Sequence, residues 1–207
     1  MTGMKQKTTQ LLYGYWNELR RGRLAPTRLE IEPSRIGSIL AETFMLERTE
    51  TSAFCYRLAG TRLCEIFGSE LRGTNLLDGW GASDRALINS HLAATCEQGA
   101  VTLLTFEAGT GARRVHLEAI LLPLIQPAGV IGRVLGSMSP MSSPHWLGHE
   151  QLFDKRLISA ETVWPEGRPH ALREKSRRET FPLGNTAART AATKWRSFRV
   201  LEGGRKL

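Results

Sequence analysis

FCYRLAGTRLCEIFGSELRG, residues 54–73, reads as a strand running straight into a short helix. Phe54, Tyr56 and Leu58 alternate with Cys55, Arg57 and Ala59, the period of two expected of a half-buried strand. Gly60 breaks the run, and the Thr61 hydroxyl can cap a helix by accepting from first-turn amides. Leu63, Ile66 and Phe67 fall three and four apart and so share one helical face. Gly68 stops that helix, and Gly73 marks a second turn before the apolar Leu76, Leu77 and Trp80.

Towards the N-terminus, Thr8 or Thr9 is placed to cap a helix over 8–21, with Leu12, Tyr15, Trp16 and Leu19 at helical spacing. Its last turn carries Arg20 and Arg21, cations suited to a helix C-terminus. Pro33 and Ser34 open a second helix through Leu40, and 43–47 and 53–59 read as a hairpin joined by RTETS. Towards the C-terminus, a longer helix spans 83–98, with Ser83 as its cap and Gly99 as its stop. Three strands follow, 100–107, 114–124 and 133–138. In the second of them Val115, Leu117, Ala119 and Leu121 oppose His116, Glu118, Ile120 and Leu122, and Pro123 argues for an edge or a strand end. Residues 152–163 add one more extended element.

A strand leading into a short capped helix and a glycine-punctuated run of small helices is how a PAS domain walls its cavity. The segment resembles the PAS superfamily, and more narrowly the alphaproteobacterial PAS family in which a tryptophan-bearing helix precedes the domain. The resemblance covers roughly residues 10–160, with Pro144, Trp146 and Gly148 similar to residues that follow the sheet in that family. It implies an α+β fold: a five-stranded antiparallel sheet with helices on one face, and the fifth strand between the first and fourth. The expected organisation is flanking helices in 1–42, a PAS-like core in 43–139, an edge-covering extension in 140–165 and a basic tail in 166–207. Any ligand cavity would be lined by Phe54, Tyr56, Leu63, Phe67, Leu76, Ile88, Leu92, Leu104, Leu117 and Leu135. The bland alternative is that these residues pack solid.

Chemistry leaves few signatures. No GxSxG, phosphate-loop or GxGxxG motif occurs, and the five histidines are scattered, so the chain reads as a non-enzyme with no metal site. His91 lies on the helix from which haem-binding PAS members ligate iron, and it is the candidate ligand should the protein carry haem. Light-sensing members carry a cysteine in a GxNCRFLQ-like motif, where this chain reads GTNLLDGW, which rules out a covalent flavin adduct at this place. Cys55, Cys64 and Cys96 form no CxxC pair and sit among apolar neighbours, as buried reduced thiols do.

The net charge of +8 is concentrated in the tail, where eleven basic residues from Arg168 onward face four acidic ones from Glu166 onward. That tail reads as a solvated extension, a contact for an acidic protein partner, or a contact for nucleic-acid or membrane phosphates. Its RxxxR spacing at Arg173 and Arg177 lacks the companion [DN]xSxxG of a cyclic-dinucleotide site. No stretch approaches the roughly 18 apolar residues of a membrane span, and the first ten residues lack a signal-peptide core, which places the protein in the cytoplasm. The expected function is that of a bacterial PAS regulatory protein that signals by contacting other proteins, with a small apolar ligand as an optional input. Nucleic-acid association through the tail and haem sensing are the alternatives. The helix bearing Leu12, Tyr15, Trp16 and Leu19 needs a surface to cover, either its own sheet or a second copy, and the family's habit of pairing through flanking helices favours a homodimer. A chain lacking 166–207 is expected to keep a single cooperative thermal unfolding transition, because the tail carries little apolar periodicity; loss of cooperativity on truncation would show that the tail packs on the domain.

Overall fold

The computed structural model describes residues 3–49, 53–127 and 129–167, so all of the tail beyond its first two residues lies outside the described residues. The element order is α1 (Lys7–Arg20), 3-10 helices over Arg28–Glu30 and Pro33–Glu42, β1 (Thr43–Arg48), β2 (Phe54–Ala59), α2 (Thr61–Phe67) and α3 (Ala82–Gln98). β3 (Val101–Thr110), β4 (Arg113–Ile125), β5 (Ile131–Pro140) and β6 (Asp154–Val163) complete it. The sheet order is β2-β1-β5-β4-β3-β6, and every pairing is antiparallel. The fifth strand therefore lies between the first and fourth, as the resemblance implied. The sheet has six strands rather than five, because the extended element after the core pairs with β3 along its length and prolongs the sheet.

β4 sets the plan of the molecule. Val115, Leu117, Ala119 and Leu121 join one apolar cluster, while Ile120, Leu122 and Leu124 join a second. A strand apolar on both faces needs a layer on each side. α2, α3 and the 68–80 segment supply one layer, and α1 with the Pro33–Glu42 helix supplies the other.

α1 is fixed at both ends. Near its start, the fully buried Glu118 carboxylate of β4 accepts from the amides of Lys5 (2.8 Å) and Gln6 (2.9 Å). Towards its end, Trp16 is wholly buried and its indole Nε1 donates to the Pro123 carbonyl at 2.8 Å. β3 pairs with β4 no further along than Leu121, so Pro123 stands on a locally free stretch of β4, the edge that a proline requires. The helix thus covers its own sheet, and Trp16 is not available to anchor a second copy. Leu12 and Tyr15 are buried with it, and Leu19 packs against the same cluster.

The capping residues differ from the expected ones. α1, α2 and α3 begin after Gln6, Gly60 and Gly81, none with a side-chain cap. Thr8 instead donates to Glu42 at 2.6 Å, Thr9 is buried in the first turns, and Thr61 and Ser83 already lie inside their helices. Two cysteines also depart from expectation: Cys96 is buried, but Cys55 and Cys64 are only half-buried.

Leu58 departs most from its alternation. Tyr56 faces Leu46 across the β1–β2 pair, yet Leu58 faces Met45, because the register shifts between Met45 and Leu46. This bulge turns Leu58 away from the face of Phe54 and Tyr56 and leaves it 53% exposed. At the paired strand β5, a Cβ on Gly136 would stand 2.2 Å from the Phe44 ring, so only glycine lets that ring lie across the strand. Truncating Trp16 to Ala should cost about 3–5 kcal/mol in urea unfolding, as loss of a buried tryptophan does. An unchanged unfolding midpoint would show that α1 leaves the sheet in solution.

Candidate functional site

The wall of the inner layer follows from local rules. Gly68 ends α2 in the left-handed conformation, φ +63°, and the chain then folds back along β2. Tyr56 N donates to Thr74 O, Gly73 N to Tyr56 O, and Leu76 N to Phe54 O, at 3.0, 2.8 and 2.8 Å. The GTNLLDGW segment is closed by Asn75 N donating to Asp78 Oδ2 and Leu77 N to Asn75 Oδ1, an Asx-type turn. Trp80 donates from Nε1 to Leu76 O at 2.9 Å and lies 5.0 Å from the Phe106 ring.

This wall brings the expected lining residues together, with one exception. Phe54, Tyr56, Leu63, Phe67, Leu76, Ile88, Leu92, Leu104 and Leu117 all belong to a single buried cluster. Leu135 does not: it sits on the opposite face, facing Met45, because β5 alternates with the other parity at that place. Burial pushes the Tyr56 phenol up, and the Asp78 carboxylate adds to the effect. Within α3, Cys96 is likewise pushed up to about 11 by burial, a poor nucleophile at neutral pH.

His91 does not enter that cluster. Its Nδ1 lies 3.1 Å from the Thr162 hydroxyl of β6, and desolvation lowers its pKa. A haem held from this place would need an apolar slot beneath the ring, and the ring faces an edge strand instead. Haem ligation by His91 does not fit. Among the described residues, no group of three His, Cys, Asp or Glu side chains could hold a metal ion.

Two basic residues that the sequence did not single out occupy notable places. Lys155 of β6 reaches over the inner wall, its Nζ 5.3 Å from the Phe67 ring centre, 5.9 Å from that of Trp80, and donating to Asp78 O at 2.8 Å. Burial brings its ammonium down to about 8, against the opposing pull of Asp78. Arg28 lines a groove of about 580 Å³ on the α1 side, between the Pro33–Glu42 helix and the β1–β2 pair. Neither residue belongs to a motif, and each is brought to its place by contacts distant in sequence.

A family model described as a PAS domain matches residues 4–139. The chain belongs to the PAS domain family. The matched part includes α1, so the helix on the outer face is continuous with the PAS domain, while β6 lies beyond it. No curated protein sequence matches the chain. Membership makes this a sensory or signalling type of domain. Among the described residues, no helix is long and apolar enough to cross a membrane. The eleven basic residues of the tail, Arg173 and Arg177 among them, lie outside the described residues.

Lys155 gives the PAS domain a pH signature. An amine at about 8 in the folded chain and about 10.4 when unfolded binds fewer protons folded across that window. Unfolding free energy should therefore rise with pH between about 8 and 10.4 and be lowest below it. Urea unfolding at pH 7.5 and pH 10 should show wild type gaining on Lys155→Met. Parallel pH profiles for the two proteins would show that the ammonium is solvated.

Proposed function

We propose that this protein is a cytoplasmic PAS regulatory module that signals by contact with a partner protein. The observation that carries the reading is the sheet edge formed by β6. Beyond the matched PAS region, Asp154–Val163 stands last in the sheet with Ile158 at 50% exposure, and Phe153 just before it at 59%. Ile158 is the extra residue of a bulge, since Leu157 pairs with Phe106 and Ser159 with Thr105. Lys155 N and Leu157 N already donate to Gly79 O and Asp84 Oδ2, so the exposed Ile158 and the residues after it are the part of this edge that an incoming chain can pair with. The inner face is covered by α2 and α3 and much of the outer face by α1, and the β6 edge is the surface this reading assigns to a protein partner.

The reading supports output through protein contact, with homodimerisation as one form of it. A photo-crosslinking amino acid at Ile158, introduced in the living host, should capture a discrete partner, and the same group at the 84% exposed Leu29 should not. Ile158→Asp should abolish capture from a crosslinker placed at Phe153 while leaving thermal unfolding unchanged. Equal or diffuse crosslinking from both places would overturn the edge as the output surface.

A further inference from the structure

The groove on the α1 side is unlike the rest of the surface. Its wall is made by Ile31, Ile36, Leu40, Met45, Leu58 and Leu135, aliphatic side chains from the Pro33–Glu42 helix and strands β1, β2 and β5. Leu40 and Leu58 remain 43% and 53% exposed there. Leu58 reaches the groove only because the β1–β2 bulge reverses its side. At about 580 Å³ the volume lies within the ~300–1,000 Å³ of small-molecule pockets.

One cation stands in this lining. Arg28 is half-buried, and its Nε is buried with no hydrogen-bond partner among the described residues. Two acidic side chains of the flanking segments are committed elsewhere. Glu30 accepts from the Thr27 amide and hydroxyl and from Arg23, and Glu18 accepts from Arg35. The Arg23 hydrogen bond, then that of the Thr27 amide, holds Glu30 down at about 2, so it stays charged and engaged. A buried guanidinium donor without an acceptor is costly, and an incoming anion would satisfy it.

We propose that this groove binds a single-tailed anionic amphiphile of the fatty-acid kind, its carboxylate on Arg28 and its tail along Ile36, Leu40 and Leu58. The planar fork of arginine matches a carboxylate, and the aliphatic lining matches an alkyl chain. Most of its lining lies on the far side of the sheet from the cluster expected to line a PAS cavity, with Phe44 and Ala59 of that cluster at its margin. It does not depend on the β6 edge acting as the output surface.

The test is isothermal titration of the full chain with sodium dodecanoate below its micellar concentration, with dodecyltrimethylammonium as a control of equal tail and opposite charge. Dodecanoate should bind saturably at one site, and the cation should not. Arg28→Gln should weaken binding about tenfold or more, as loss of a charge-assisted contact does. Leu58→Glu changes an exposed side chain and places a like charge in the groove, so it carries the test if Arg28→Gln fails to fold. Absence of saturable binding, equal affinity in a folded Arg28→Gln, or equal binding of the cation would overturn the proposal. So would a concentration-dependent dimer dissociated by Leu58→Glu, which would assign the groove to a second copy. Crosslinking from Ile158 should be unaffected by Arg28→Gln, which separates failure of this site from failure of the edge.

Discussion

The structure depends on the covering of β4 from both sides. Leu117, Ala119 and Leu121 project into one layer and Ile120, Leu122 and Leu124 into the other, with Glu118 the polar interruption. Removing either layer would expose a row of aliphatic side chains to water, at roughly 25 cal/mol for each Å² uncovered. α1 is consequently part of the core. Three hydrogen bonds to the strand, from the Lys5 and Gln6 amides to Glu118 and from Trp16 to Pro123, give register to a contact that apolar burial alone would leave free to slide.

The two layers divide the molecule's chemistry as well as its packing. On the inner side, an apolar wall is closed by a lysine held over Phe67 and Trp80. On the outer side, the short 3-10 helix does not cover everything that β1 and β2 expose. Ile36 has φ −114° and ψ 20°, outside helical values, so the Pro33–Glu42 segment is kinked and leaves a gap beside the strands. At the gap's end Gly60 allows a close approach, since a Cβ there would stand 2.2 Å from the Ala41 carbonyl oxygen.

Much of the fold was legible because it rests on local pattern. The alternation of 115–122 gave the two faces of β4 correctly, and Gly68 and Gly99 ended their helices as expected. Features that depend on partners far along the chain were not legible. Period two predicts that Leu58 follows Tyr56, and only the pairing with β1 reveals the bulge. Leu135 was misplaced for the same reason, since the face of β5 is set by its neighbours β1 and β4. Threonines and serines near helix starts suggested caps, but Gln6, Gly60 and Gly81 occupy those places, and the amides before α1 find a carboxylate more than a hundred residues away.

The burial of Trp16 against β4 bears on how the chain is made. α1 leaves the ribosome before its sheet, since the Pro123 carbonyl that receives Trp16 is synthesised 107 residues later. At about 5–20 residues per second, the helix waits roughly 5–20 s for its surface. During that interval a segment carrying Leu12, Tyr15 and Trp16 stands without its sheet, and a 14-residue helix is marginal on its own in water. The nascent chain therefore presents an aromatic, aggregation-prone element until the β4–β5 hairpin emerges to bury it.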